Sequence, residues 1–295
     1  MPITERGTID GKIGMRWITE PLSYSFFRHG LVAALGAGTL CGLIGVYVVL
    51  RNMSYIGHGL SHAVFGGAVG GYVLGTNIYI GAAAFGLLAA LAIAWITRRR
   101  FVGADAAIGI VSTASFALGV ALISTQRRFT RSFEATLFGN ILGVSKADLL
   151  VLATAGIVTL GLILLFYRPL LFTVFDEEIA KASGIRTGLV ETVFAVMLSA
   201  VVLASMQILG VTLIAAAIVV PPSMARLLTS SFGKLLVSSA LIGALSGLVG
   251  MYASYHFNVA SGATVVLTAT LAFALTVAVT RIGSKASQLV ARKKA

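Results

Sequence analysis

The chain has 295 residues, 58% of them hydrophobic and 11% charged, with a formal net charge of +12 and a mean hydropathy of +0.97. A water-soluble domain carries about 25% charged residues, so this composition excludes an ordinary soluble fold: too little polar surface exists to cover so large an apolar volume. A lipid bilayer removes the difficulty, because hydrocarbon can face the apolar surface that water cannot.

The charges are also clumped. No Asp, Glu, Lys or Arg occurs between Arg51 and Arg98, between Glu191 and Arg226, or between Lys234 and Arg281. The first and last gaps each hold two spans of roughly 20 residues. Strand alternation is absent, so an all-α integral membrane protein is predicted over a barrel. In chain order, residues 1–24 form a polar, interfacial N-terminal segment, with no apolar stretch and cleavage site of the signal-peptide kind; the first span is expected to direct insertion. Apolar spans follow at about 27–50, 56–75, 78–97, 107–125, 149–167, 188–206, 208–224, 235–256 and 262–280, and residues 283–295 form a basic cytoplasmic tail. The count is eight or nine, because 188–224 is one long apolar stretch, with a break expected at Gln207 and Gly210. Pro221-Pro222 is expected to end or kink the segment after that break, since proline lacks a backbone donor and clashes with the preceding turn.

The basic residues sit mostly at span ends: Arg98-Arg99-Arg100, Arg168, Arg226 and the tail from Arg281. This is the positive-inside pattern, with attraction to lipid headgroups, and it argues against nucleic acid as a partner. Nine spans with the tail inside place Arg127, Arg128 and Arg131 outside, against the rule. Glycines four residues apart, such as Gly38/Gly42 and Gly243/Gly247, fit close helix packing in lipid. The lone Cys41 excludes an intramolecular disulfide and a cysteine-cluster metal site.

No phosphate loop, nucleophile elbow or zinc-protease motif is present, so neither an ATP site nor catalysis is expected of this chain. The second span holds His58 and His62, four apart and therefore on one helix face. Two imidazoles at that spacing can ligate one transition metal. Ser54 and Ser61 are placed to hydrogen-bond the rings and fix their tautomers. Each histidine could instead be a buried group bonded to a neighbouring helix. His29 and His256 lie at span ends, and Asp105 at a span entrance, where a helix dipole favours negative charge. Between two spans, Asp176 is placed to cap a short helix that carries Glu177, Glu178, Ile179, Ala180 and Lys181 and ends at Gly184. Such a helix is either a solvated turn or a dock for a soluble protein.

These stretches, in this order, resemble one family. Residues 51–63 (RNMSYIGHGLSHA), 107–110 (AIGI), 137–142 (LFGNIL), 176–184 (DEEIAKASG), 219–228 (VVPPSMARLL) and 261–264 (SGAT) are similar to the permease subunit of zinc/manganese/iron ABC importers, over nearly all of 28–280. The resemblance implies a type II importer fold and a homodimer in a bacterial plasma (inner) membrane. It further implies two ATP-hydrolysing subunits docking on the 176–186 region, and an extracytoplasmic metal-binding protein. No resident cofactor is implied, only a transported divalent ion. His62 matches a family metal-ligand position. His58 stands where the family usually has aspartate, and exchanging carboxylate for imidazole softens the site, so zinc is expected over manganese or iron. A proton competes with a metal for each imidazole, so uptake is expected to be pH-sensitive. The alternatives are a permease for a metal chelate such as a siderophore or haem, and an ion-coupled secondary transporter. The latter needs acidic coupling residues that the charge-free gaps lack.

Overall fold

A computed structural model describes residue 17 and residues 19–99, 102–124 and 139–294, with side chains as far as Ile282. The expectations for residues 1–16, for Arg100, Arg127, Arg128 and Arg131, for Leu137-Phe138 and for the side chains of the tail fall outside this set. Among the described residues the fold is helical throughout. In chain order the helices are α1 (Ser25–Leu50), α2 (Ile56–Val73), α3 (Ile78–Arg98), α4 (Ala104–Ser124), α5 (Lys146–Leu165), α6 (Tyr167–Phe175), α7 (Glu177–Ala182), α8 (Thr187–Leu209), α9 (Ile214–Leu228), α10 (Phe232–Phe257) and α11 (Ser261–Lys294).

Each of the nine expected spans holds one helix, with α6 and α7 between the fifth and sixth. Seven are long and apolar enough to cross a membrane. α9 falls short at 15 residues. α2 falls short in hydropathy, because glycines and two histidines dilute its apolar content.

The break after the sixth span sits at Gly210, whose φ of 89° no β-carbon tolerates well; Gln207 remains helical. Of the two outcomes expected at the prolines, an end or a kink, the end does not occur. α9 runs through Pro221 and Pro222 to Leu228. Proline at 222 leaves the Ile218 carbonyl without its helical donor, and the α1 backbone at Gly45 lies directly against that carbonyl. A neighbouring helix thus covers the exposed group, which is how membrane helices accommodate proline.

α1 lies at the centre, packed on α10, α9, α8 and α5, while α2 lies between α3 and α4. Of the seven, α1 and α8 are the most enclosed. Hydrocarbon is as apolar as leucine, so burial alone does not hold such helices together; close packing does. At the α1–α10 crossing the backbones touch: a β-carbon on Gly38 would overlap the Gly243 carbonyl, and one on Gly243 would overlap that of Gly38. Ser239 adds a hydrogen bond of 2.6 Å to the Gly42 carbonyl across the same crossing.

The two ends of the bundle differ. The turn at 51–55 and the end of α3 put Arg51, Arg98 and Arg99 at one end with the starts of α2 and α4. Glu191 of α8 pairs with Arg51 at this end. The opposite end carries an aromatic cluster. Trp17 stacks on His256 at 4.2 Å, and Phe27 meets Tyr252 and Tyr255 edge-on at 5.2 and 5.5 Å. Aromatic rings of this kind favour a membrane–water interface.

Candidate functional site

The face of α2 that its neighbours leave open carries Tyr55, His58 and His62, spaced i, i+3, i+7. The rest of the helix is buried, much of it through glycine: Gly59 admits Ile108 and Ser112 of α4, and Gly67 admits Gly81 of α3. α4 answers with a stripe of the same period, Asp105, Ile108, Gly109, Ser112, Thr113 and Phe116. Between the stripes lies a cleft of about 370 Å³. Its mouth is marked by the exposed residues Tyr55, His58 and Asp105, and its floor by buried Ile108 and Ser112.

The structure brings the two histidines together. Their Nε2 atoms are 3.1 Å apart and their rings stand nearly perpendicular, at 85°. Phe116 contacts the His62 ring at 4.6 Å between centroids. Metal–imidazole bonds of about 2.1 Å at tetrahedral or octahedral angles put ligand nitrogens about 3.0–3.4 Å apart, so both Nε2 atoms already hold the separation that one ion requires. Without an ion, the same distance lets one Nε2–H donate to the other ring. The His62 Nδ1 is buried without a hydrogen-bond partner among the described residues.

The two serines do not serve the rings. Ser61 is fully buried on a flank of α2 beside the histidine stripe, and its hydroxyl faces the carbonyls of His58 (2.7 Å) and Val211 (3.0 Å). It therefore ties α2 to the turn before α9 rather than setting a tautomer. One hundred degrees per residue carries position 61 away from the stripe through 58 and 62. Ser54 lies in the turn before α2 and makes no hydrogen bond among the described residues.

Asp105 is the residue whose setting the sequence reading missed. Read from the chain it is a charge in the first turn of α4; in the fold it lines the histidine cleft. The signal was the i, i+3, i+4, i+7 stripe that begins at Asp105 and ends at Phe116. No group of three or more His, Cys, Asp or Glu side chains is close enough to hold a metal among the described residues, so Asp105 faces the pair across the cleft without forming a triad with it.

The 176–184 segment folds as expected. The Asp176 carboxylate accepts from the Glu178 and Ile179 amides, both at 2.9 Å. Gly184, at φ 77°, closes α7: its amide donates to the Lys181 carbonyl and that of Ile185 to Ala180, the Schellman pattern. Lys181 pairs with Glu177 at 2.6 Å, one turn earlier on the same helix. Ala180 is buried, while Phe175 and Ile179 remain exposed at 65% and 55%, apolar side chains offered outward from a surface helix.

Comparison with known proteins gives concordant results. The family model described as the ABC 3 transport family matches residues 23–280. The chain is 41% identical over 254 residues to a manganese transport system membrane protein, MntC, of Halalkalibacterium halodurans, covering 86% of this chain and 87% of that one. It is 38% identical over 259 residues to the MntC protein of Listeria monocytogenes, covering 88% and 92%. Among solved structures it is similar to PsaBC from Streptococcus pneumoniae in complex with Fab, with a TM-score of 0.80 at 35% identity, covering 89% of this chain and 94% of that one. Seven helices fit to cross a membrane and a family match across nearly the whole bundle lead to one conclusion: this multi-pass membrane protein belongs to the ABC 3 transport family, as its histidine stretch and capped α7 segment had implied.

Proposed function

We propose that this chain is the permease of an ATP-driven importer of a divalent transition metal, and that manganese is its cargo. The observation carrying this reading is the pair of histidine Nε2 atoms 3.1 Å apart in a cleft between two membrane helices. The zinc expected from the sequence rested on the softness of two imidazoles. Two findings weigh against it. Several relatives are named as manganese transport proteins. Asp105 also offers the cleft a carboxylate, the hard oxygen donor that suits manganese. Zinc is the second reading, favoured by the imidazole donors alone.

In this reading His58 and His62 bind the ion, water completes its coordination shell, and the Asp105 carboxylate acts on it across the cleft through its charge. Two copies of a separate ATPase dock on Asp176–Gly184, and an extracytoplasmic protein delivers the ion across a bacterial plasma membrane. Alternating access follows: ATP binding and hydrolysis rearrange the helices that carry the two histidines.

Deletion of the gene is expected to abolish high-affinity manganese uptake by cells and leave zinc uptake unchanged, measured with radioactive or mass-labelled ions. Loss of zinc uptake with normal manganese uptake would establish the second reading. Asp105→Asn is expected to weaken manganese binding by roughly fivefold, since one charge acting across a wet cleft contributes about 1 kcal/mol. Titration of the purified permease with manganese checks this, and an unchanged affinity would remove Asp105 from the site.

A further inference from the structure

Resting on that reading of α7 and the histidine pair, we propose that Arg51 and Glu191 form the strut that carries movement of the docking segment to the metal helix. Arg51 caps α1 and lies seven residues before His58. Glu191 lies on α8, just beyond the docking segment. The guanidinium Nη2 is 3.3 Å from the Glu191 Oε1, with the two side chains only 18% and 12% exposed. The same guanidinium sits 5.2 Å from the ring centroid of Phe194. Phe194 is three residues beyond Glu191 and so on the same face of α8. α8 thus grips Arg51 by charge and by ring.

The Arg51 end of the strut is stiff. The turn from α1 to α2 is held by three backbone hydrogen bonds: Asn52 to Val49, Met53 to Val48, and Ile56 to Met53, at 3.2, 3.0 and 2.9 Å. Asn52 adopts φ 55° and Met53 is buried. A pull on Arg51 therefore moves the start of α2 instead of being absorbed by the turn. At the other end, α7 packs on α8, and Arg98 of α3 lies against α8 at Gly188. A displacement of α7 therefore bears on α8 through contact as well as through the covalent link between them. Beside the pair lies a cavity of about 40 Å³, lined by Met53, Ile56, Thr97 and Phe194 among others, which leaves room for the pair to shift.

A pair that only holds the fold would affect yield and thermal stability. A transmitting pair affects how much metal crosses per ATP hydrolysed. The experiment uses the complete complex of permease and ATPase in proteoliposomes and measures manganese uptake and ATP hydrolysis together. Glu191→Gln and Arg51→Gln are each expected to lower the ratio of uptake to hydrolysis by about tenfold, within the range of energetic coupling between sites. Arg51→Gln/Glu191→Gln should be no worse than either alone, because both changes remove one link. Should a glutamine variant fail to assemble, Glu191→Asp keeps the charge but withdraws it by one methylene, and is expected to lower the ratio by about threefold. An unchanged ratio in the assembled variants overturns the proposal, as do additive losses in the double variant. A wild-type complex that hydrolyses ATP but imports no manganese or zinc would instead overturn the transport reading, before any variant is compared.

Discussion

Replacing His62 by alanine is expected to reduce metal transport by more than about 100-fold, given that loss of even an outer-shell partner of a metal ligand costs about 10- to 100-fold. Two side-chain nitrogens converge in the cleft, and removing one leaves a single imidazole that cannot hold a dication against water. The substitution also removes the ring contact with Phe116, so assembly must be scored beside transport. His62 is only half-buried and lines the cleft, and its one ring contact with α4 is to Phe116, so the variant is expected to reach the membrane in normal amount. Uptake in proteoliposomes and manganese titration of the purified permease would check both points; retained binding and uptake would remove His62 from the site. The companion change, His58→Asp, has the opposite sign for manganese. A carboxylate restores negative charge and a hard donor at the mouth of the cleft, so manganese uptake should be kept or raised while competition by zinc weakens.

Gly38→Ala is expected to disrupt assembly of the bundle. The added methyl would meet the carbonyl of Gly243, and neither side is a flexible side chain that could move aside. Overpacking commonly costs about 1–3 kcal/mol. Here α1 and α10 must separate along their length, which also stretches the Ser239 to Gly42 hydrogen bond, so the cost lies at or above the upper figure. Gly243→Ala is the reciprocal test and should match it. At Gly161 of α5 an added methyl would meet no atom within 4 Å, so Gly161→Ala should be neutral or stabilising by about 0.5–1 kcal/mol. Thermal unfolding in detergent, followed by size-exclusion chromatography, reads all three. Equal stability of Gly38→Ala and Gly161→Ala would mean that the helices do not approach as closely as described.

The helical membrane class, the nine apolar stretches and the capped α7 were legible in the chain because each rests on local physics. Span length follows from bilayer thickness. The Asp176 cap and the Gly184 stop are satisfied within a few residues of themselves. The His58–His62 pair was legible for the same reason, since residues four apart on a helix must share a face. The cargo was not. The donor atoms on α2 alone favour zinc, and only α4, laid beside α2 through Gly59, adds the carboxylate of Asp105 to the cleft.

The sequence by itself determined what must be buried in lipid and about where each span lies, because hydropathy, caps and breakers act over a few residues. Tertiary structure decided what no local pattern encodes. Ser61 turns to the Val211 carbonyl instead of a histidine ring, α9 passes through two prolines with α1 against its open carbonyl, and Arg51 meets Glu191 140 residues away. Each of these joins groups far apart in the chain, and their partners are set by how backbones pack at glycine contacts rather than by the residues on either side.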